Sequence, residues 1–126
     1  MFKNIEEMIN YVKEQNVEII DLKVVDMKGR WHRLSITSNK LTHDIMDKGI
    51  GFDGSSYGFL TVEKSDMVMI PDPTSCYLDA YKEYKTIVVI ANIYVINVDH
   101  LERFDDDPRF VAEKAAQMLN KKSEEV

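Results

Sequence analysis

A nearly continuous run of β-branched and apolar residues extends from Thr86 to Ile96 and is the dominant pattern in the chain. A run of this kind is typical of a strand that is covered on both faces, so we predict a central strand here. The apolar stretch from Ile87 to Val98 is interrupted by Asn92 and Asn97, and it is well short of the roughly 20 residues that a membrane-spanning helix needs. We therefore expect no transmembrane segment and no membrane partner.

The first third of the chain predicts a helix followed by a β-hairpin. Asn4 and Glu7 have the spacing of a capping box, and the apolar residues that follow recur with helical period, which indicates an amphipathic helix over about 5–15. From 17 to 27 the period changes to two, and Asp21 falls on the polar face. Gly29 supplies a tight turn, and 30–37 alternates again, which predicts the second strand of the hairpin.

The later segments add helices and one short strand, which gives an α+β fold class. Ser38 or Asn39 can begin a short helix that Gly49 ends. The run 67–70 predicts a strand at the margin of the sheet, because Pro71 and Pro73 follow it. Asp107 caps a final helix, for which we predict a buried stripe and a polar, frayed tail. The stripe consists of Val111, Ala115, Met118 and Leu119.

Charge and cysteine usage exclude several classes of function. The formal net charge is −6, so a basic surface for nucleic acid is not expected. Cys76 is the only cysteine, which allows no internal disulfide and no thiolate cage; we interpret it as a half-buried strand residue. Glu6 and Glu7 lie where a signal peptide would be apolar, so we expect a cytoplasmic protein.

Four of the five glycines lie between positions 49 and 58, which predicts a loop that approaches a ligand or partner closely. The segment 49–54 matches GxGxxG, the pattern of a dinucleotide site. That site needs a strand before the first glycine and a helix after the third, whereas here a helix is predicted to end at Lys48. We therefore reject the dinucleotide interpretation.

Asp53 is the candidate functional residue of this loop, because a carboxylate on a glycine-rich loop can be presented to a site built elsewhere. Asp-Gly-Ser-Ser is also ordinary Asx-turn chemistry, and local sequence favours that simpler interpretation. Asp66 is a possible second acidic group beneath the loop. No metal site is predicted, because the histidines, at 32, 43 and 100, lack zinc-ligand spacing and the run 105–107 is better explained as loop and helix cap.

Four segments occur in an order that resembles the N-terminal domain of bacterial and archaeal glutamine synthetase. They are VDMKGRWH at 25–32, GFDGSS at 51–56, EKSDMVMIPDP at 63–73 and DDPRFVAEKAAQML at 106–119. The resemblance extends over about residues 15–120. It implies a β-grasp, in which a curved mixed sheet holds a helix, and it implies that 1–126 is one such domain.

The resemblance also implies roles for individual residues. Members of this family join glutamate and ammonium with ATP to form glutamine. By resemblance, Asp53 would bind ammonium and accept its proton in the active site of a neighbouring subunit of a homo-oligomeric ring. Ser56 and Asp66 would lie beside it as substrate-binding residues, Asp66 with less support.

The same resemblance implies that ATP, Mg or Mn and the glutamate site belong to a larger C-terminal catalytic domain, so that this chain alone is an inactive fragment without a cofactor. Lys64 stands where glutamate is usual, and the stretch around it is one residue shorter than in common members. This leaves a related γ-glutamyl-amine ligase open. Phe59 stands where some members carry a tryptophan that packs across the subunit boundary. A stand-alone β-grasp binding module is the third alternative.

Overall fold

The structure is a computed structural model that describes residues 1–59 and 66–124. Within these ranges no helix is long and apolar enough to cross a membrane. The described helices are α1 (Ile5–Glu14), α2 (Ile45–Lys48) and α3 (Pro108–Glu124). The described strands are β1 (Ile19–Val25), β2 (Trp31–Thr37), β3 (Ile50–Asp53), β4 (Asp66–Pro71), β5 (Tyr77–Asp79), β6 (Thr86–Asn97) and β7 (His100–Arg103).

Strand β6 is the centre of one mixed sheet, as the apolar run at 86–96 predicts. It pairs in parallel with β1 and antiparallel with β4, β5 and β7, and the main strand order is β2-β1-β6-β4-β3. Its first four residues are buried, and strands lie on both of its edges there. The α+β class with a mixed β-grasp-like sheet is confirmed.

Helix α1 begins at the predicted cap and packs on this sheet. The Asn4 side chain accepts a hydrogen bond of 2.9 Å from the Glu7 amide, and the Glu7 carboxylate accepts one of 2.9 Å from the Lys3 amide. The second bond therefore reaches one residue further back than in the usual capping box. Met8, Ile9 and Val12 are buried in the core that also contains the inward side chains of β1 and β6.

The predicted hairpin of β1 and β2 is confirmed, with Val25 opposite Trp31 and Gly29 at φ +82° in the turn. Asp21, which the alternation places on the polar face, is nevertheless buried at 2% exposure. Its carboxylate accepts a hydrogen bond of 2.5 Å from the Ser35 hydroxyl and lies 3.3 Å from the Arg33 guanidinium. Neighbouring polar side chains therefore cover it, which alternation along one strand does not reveal.

Two strand predictions need correction. The glycine-rich segment is not a loop at its start: residues 50–53 form β3, with Ile50 and Phe52 turned inward and Gly51 and Asp53 outward. Strand β4 is not marginal, because it pairs with β3 on one edge and β6 on the other. Pro71 is tolerated because it is the last residue of β4, where a missing amide donor removes little pairing.

The single short helix predicted between 38 and 49 is two elements. Residues Ser38–Lys40 form a 3-10 turn, and α2 begins only at Ile45. Gly49 ends α2 at φ +65°, as predicted, and packs closely on β4. A Cβ atom at this position would lie 2.9 Å from the Met69 carbonyl oxygen and 2.9 Å from Val68 Cβ.

Helix α3 begins as predicted, because Asp107 accepts a hydrogen bond of 3.1 Å from the Arg109 amide. The predicted buried stripe is wrong. Val111, Met118 and Leu119 are more than half exposed, Ala115 is also exposed, and the described part of the tail stays helical to Glu124. The ion pairs and hydrogen bonds of α3 with the sheet involve its first two turns, so the rest of the helix extends away from the core.

The sheet is curled so strongly that one outer strand, β2, contacts the turn that follows the other outer strand, β3. The imidazole of His32 in β2 stacks on the ring of Tyr57, which follows β3, with centroids 4.5 Å apart and planes inclined by 17°. The Tyr57 ring also stacks on Phe52 of β3 at 5.1 Å. His32 Nε2 is 2.8 Å from Asp26 Oδ2. Asp26 Oδ1 accepts hydrogen bonds from the amides of Lys28 and Arg30 in the hairpin turn.

Gly49→Ala should destabilise the domain more than Gly29→Ala does. Both changes place a side chain at positive φ, which costs about 1–2 kcal/mol. At Gly29 a Cβ meets nothing within 4 Å, whereas at Gly49 it overlaps β4 backbone, so about 1–3 kcal/mol more is expected. Urea unfolding of both variants measures the difference, and equal losses would contradict the close approach of α2 to β4.

Asp26→Asn should lower stability at neutral pH, and the loss should shrink in acid. The hydrogen bond from His32, with the amide of Arg30, lowers the pKa of Asp26 to about 2. A carboxyl with a depressed folded pKa stabilises the fold above its ordinary pKa and loses that contribution as the pH falls, here from about 5 to about 2. Denaturant midpoints at several pH values measure this, with Asp106→Asn as the exposed control; a constant difference would contradict the prediction.

Candidate functional site

Strands β3 and β4 bring Asp53 and Asp66 together. The two strands are antiparallel, and Asp53 and Asp66 are directly opposed at the end of the pairing. Opposed residues of an antiparallel pair have Cβ atoms about 4.5–5.5 Å apart, and two like charges at this distance repel each other. The sequence separates these carboxylates by 13 positions, and the structure places them side by side at one end of the sheet.

The carboxylate of Asp53 is exposed, and the turn that follows holds it from one side. Its Oδ1 accepts hydrogen bonds from the Ser55 amide at 3.0 Å and the Ser55 hydroxyl at 2.7 Å, while Oδ2 accepts a longer one of 3.3 Å from the Ser56 hydroxyl. The Ser55 hydroxyl, then the Ser55 amide, lower the pKa of Asp53. The Asx-turn interpretation is therefore confirmed, yet Asp53 still faces solvent.

An open depression of about 370 Å³ lies against the two carboxylates. Its lining combines the acidic pair with apolar surface from β3, β4 and the end of β6: Gly51, Phe52, Asp53, Asp66, Met67 and Ile96. The depression opens to the outside of the domain, because Ile96 and both carboxylates are exposed. Two carboxylates beside an apolar surface can bind a small cation, provided that another group shields the cation from solvent.

The turn from Gly54 to Tyr57 is anchored on the core below it. A Cβ atom at Gly54 would lie 2.5 Å from Met67 Sδ, so a larger residue here requires the buried Met67 side chain to shift. Phe59 is fully buried and packs edge-on against Phe104 at a centroid distance of 5.6 Å. The implied position of this aromatic residue at a subunit boundary is therefore wrong for Phe59, which fills the core of its own domain.

The other sequence candidates lie elsewhere. Cys76 is buried and lies just before β5, so its interpretation as a half-buried strand residue is wrong. Burial raises the pKa of its thiol to about 11, which fits a packing residue and not a nucleophile. His100 is exposed and bonded to Asp99 and Glu102 in the hairpin of β6 and β7. In 1–59 and 66–124, no three histidine, cysteine or acidic side chains converge on a point that could hold a metal ion.

A larger cleft of about 480 Å³ lies between the end of α1 and the segment 38–43. Its lining includes Lys13, Asn16 and His43 but no carboxylate, and it shares no residue with the depression beside Asp53. Size alone does not make it the functional site, because it lacks a convergent set of charged groups.

Sequence reasoning missed the contacts that hold the acidic turn in place. From the sequence alone, Tyr57 has no assigned role and His32 is considered only as a histidine without zinc-ligand spacing. The inward alternation of His32 with Leu34 and Ile36 is a usable signal that the imidazole faces the interior of the curl. Lys64 and the shortened stretch around it, together with Ser65, lie outside the described residues.

Comparisons with known proteins agree on one family. The family model described as "Glutamine synthetase, beta-Grasp domain" matches residues 16–96. Glutamine synthetase of Aquifex aeolicus is 36% identical over 115 residues, which is 90% of this chain and 24% of that protein. Glutamine synthetase of Frankia alni is 30% identical over 120 residues, 94% of this chain and 25% of that protein. The chain thus spans about a quarter of the length of these relatives.

A solved structure agrees with the fold. The cryo-electron microscopy structure of Plasmodium falciparum glutamine synthetase superposes on 96% of this chain and 23% of its own, with a TM-score of 0.81. The sequence identity is 20%, so this likeness shows the fold alone.

Ser55→Ala should raise the pKa of Asp53 toward its ordinary value, because it removes the shortest hydrogen bond to the carboxylate. Ser56→Ala should raise it less, since its bond is longer. A carbon-13 NMR titration of the Asp53 carboxyl in this chain measures both. An unchanged pKa in Ser55→Ala, or a larger rise in Ser56→Ala, would show that the turn is arranged differently in solution.

Proposed function

The chain belongs to the glutamine synthetase family and corresponds to its N-terminal β-grasp domain, and from this we propose that it serves an ATP-dependent glutamate–ammonia ligase. In that enzyme the domain supplies Asp53, with Ser56 and Asp66 beside it, to the place where ammonium binds. The observation that carries the proposal is the exposed carboxylate of Asp53, opposite a second carboxylate at the rim of an open depression.

The charges and free acceptors of this pair favour a small cation as ligand. An ionised carboxylate has about four lone-pair positions, and the local bonds to Asp53 use three of them. The less engaged oxygen is Oδ2, which among the described residues accepts one hydrogen bond, of 3.3 Å from the Ser56 hydroxyl. Ammonium offers donors on all sides, so it can bond to Asp53 and relieve the repulsion between Asp53 and Asp66 at the same time.

The lowered pKa of Asp53 favours the binding of ammonium but disfavours the acceptance of its proton. Hydrogen bonds to the charged form make Asp53 a good cation ligand at neutral pH and a weak base. Removal of a proton from ammonium requires a stronger base. Cover by a neighbouring subunit would raise the pKa of Asp53, because desolvation disfavours a charged carboxylate. Assembly would thus convert an ammonium ligand into a proton acceptor.

We place the active site between subunits because the pair faces away from its own core. Asp53 and Asp66 lie on the outer side of the strand pair, and the floor of the depression continues to the exposed Ile96. The missing wall would come from the catalytic domain of an adjacent copy in a homo-oligomeric ring. The exposed stripe on α3, Val111, Met118 and Leu119, supports further protein contacts in the longer enzyme.

ATP and a divalent metal, Mg or Mn, belong in this proposal to the remainder of the enzyme. The described side chains do not fit a metal ion, because no three ligating groups converge. The glycine segment does not fit a nucleotide either, because a helix precedes it and a strand occupies its first half. We assign this chain the binding and orientation of ammonium, and no step of phosphate transfer.

Asp53→Asn in the full-length enzyme should leave assembly and ATP binding intact and reduce ammonium-dependent turnover about 100-fold or more, because the amide neither carries the charge nor accepts the proton. Glutamine formation at low ammonium measures the effect. Asp44→Asn is the matched control, since Asp44 is an exposed aspartate on another element. Unchanged turnover in Asp53→Asn would remove Asp53 from the mechanism.

The amine is checked in the same assay. Ammonium should be preferred over methylamine and over a polyamine. A preference for the polyamine would overturn the glutamine synthetase assignment in favour of a γ-glutamyl-amine ligase and leave the domain assignment untouched.

A further inference from the structure

Tyr57 joins the two outer strands of the sheet at the point where the acidic turn ends. Its ring lies against His32 of β2 at 4.5 Å and against Phe52 of β3 at 5.1 Å, with planes inclined by only 17° and 26°. Phe52 immediately precedes Asp53, and Tyr57 is the last residue of the 3-10 turn that follows Asp53. The two residues that bracket the turn are therefore held together by their rings.

The far side of this stack is fixed by a carboxylate. His32 Nε2 is 2.8 Å from Asp26 Oδ2, and Asp26 Oδ1 accepts hydrogen bonds of 2.9 Å from the amides of Lys28 and Arg30. Asp26 is only 4% exposed, so it is held rigidly in the hairpin turn. The imidazole consequently presents a fixed face to Tyr57, and a line of contacts leads from the first hairpin to the acidic turn.

We propose that Tyr57 is a positioning residue for Asp53: its ring, held between His32 and Phe52, fixes the Gly54–Tyr57 turn and so sets the direction in which the carboxylate is presented. The catalytic consequence of this inference rests on the proposed function, whereas the structural part does not. Positioning of this kind matters because the hydrogen bonds of a carboxylate to a bound cation weaken when the carboxylate is turned away from it.

Other contacts hold the backbone of the turn but not its orientation toward β2. Gly54 lies on Met67, and the amide of Phe59 donates to the Gly54 carbonyl at 2.9 Å, so both contacts fasten the turn to the core. Ser55 and Ser56 point their hydroxyls at Asp53 itself. Among the described contacts, the Tyr57 ring alone connects the turn to the opposite edge of the sheet. Because Tyr57 is half-buried, its loss should spare the fold.

The structural part is tested on this chain with three variants. Tyr57→Leu removes the stack, Tyr57→Phe keeps it, and Tyr81→Leu changes a tyrosine that is 97% exposed. An aromatic pair of this type corresponds to about a threefold to tenfold equilibrium effect. In Tyr57→Leu we expect the Ser55 amide to exchange about threefold to tenfold faster and the pKa of Asp53 to rise toward its ordinary value. Tyr57→Phe and Tyr81→Leu should match the parent.

Unchanged Ser55 exchange and an unchanged Asp53 pKa in Tyr57→Leu would overturn the inference. So would a Tyr57→Phe variant that behaves like Tyr57→Leu, because the hydroxyl and not the stack would then be responsible. If Tyr57→Leu fails to fold, His32→Gln replaces it: this variant keeps a donor for Asp26, removes the imidazole, and should shift both readouts in the same direction.

The catalytic part is tested in the full-length enzyme. Tyr57→Leu should raise the KM for ammonium about threefold to tenfold, with the KM for glutamate unchanged and kcat within about twofold of the parent, and Tyr57→Phe should restore the parent value. If Asp53→Asn abolishes turnover while Tyr57→Leu leaves the ammonium KM unchanged, the positioning role of Tyr57 is overturned and the proposed function stands. If Tyr57→Leu disturbs the turn in this chain but Asp53→Asn is silent in the enzyme, the proposed function fails and the structural inference stands.

Discussion

The pairing of β6 with four other strands is the constraint on which the rest of the domain depends. Its first half pairs with β1 and β5, and its second half pairs with β4 and β7. The two outer strands are joined to β6 only indirectly, because β2 pairs with β1 and β3 pairs with β4. A twisted sheet with such a long shared strand curls, because the twist accumulates from one edge to the other. The curl encloses the core residues of α1 and brings His32 to Tyr57.

Curvature also explains why a polar site can exist at the end of so apolar a sheet. The inward positions of β3 and β4 contribute Ile50, Phe52 and Met67 to the core. Their outward positions end in Asp53 and Asp66, which stay hydrated. Two carboxylates placed side by side are unfavourable alone and favourable with a cation between or beside them. The packing of the inward residues of β3 and β4 therefore offsets the repulsion between Asp53 and Asp66.

The sequence predicts the elements whose signals are local. The cap at Asn4, the turn at Gly29, the apolar run of β6 and the cap at Asp107 each depend on a few neighbouring residues, and all four are confirmed. The resemblance to glutamine synthetase is likewise confirmed, because several ordered motifs carry it.

The predictions are wrong where the structure of a segment depends on contacts with residues distant in the sequence. Glycines hide the alternation of β3, the position of β4 depends on its two partners, and the exposure of α3 depends on what lies against it. At the site, the Asx turn of Asp53 was accessible from local sequence, whereas its opposition to Asp66 and the stack beneath it required the sheet.

The contact between Gly54 and Met67 links the surface of the domain to its interior. Since a Cβ atom at 54 would come within 2.5 Å of the thioether sulfur, a larger residue at 54 requires the Met67 side chain to move or to be replaced by a shorter one. A homologue with alanine or serine at 54 should carry a shorter residue at 67, and a long unbranched residue at 67 should coincide with glycine at 54. Divergence of the turn that carries Asp53 is thus coupled to the hydrophobic volume beneath it, and paired substitutions at 54 and 67 are the expected evolutionary step.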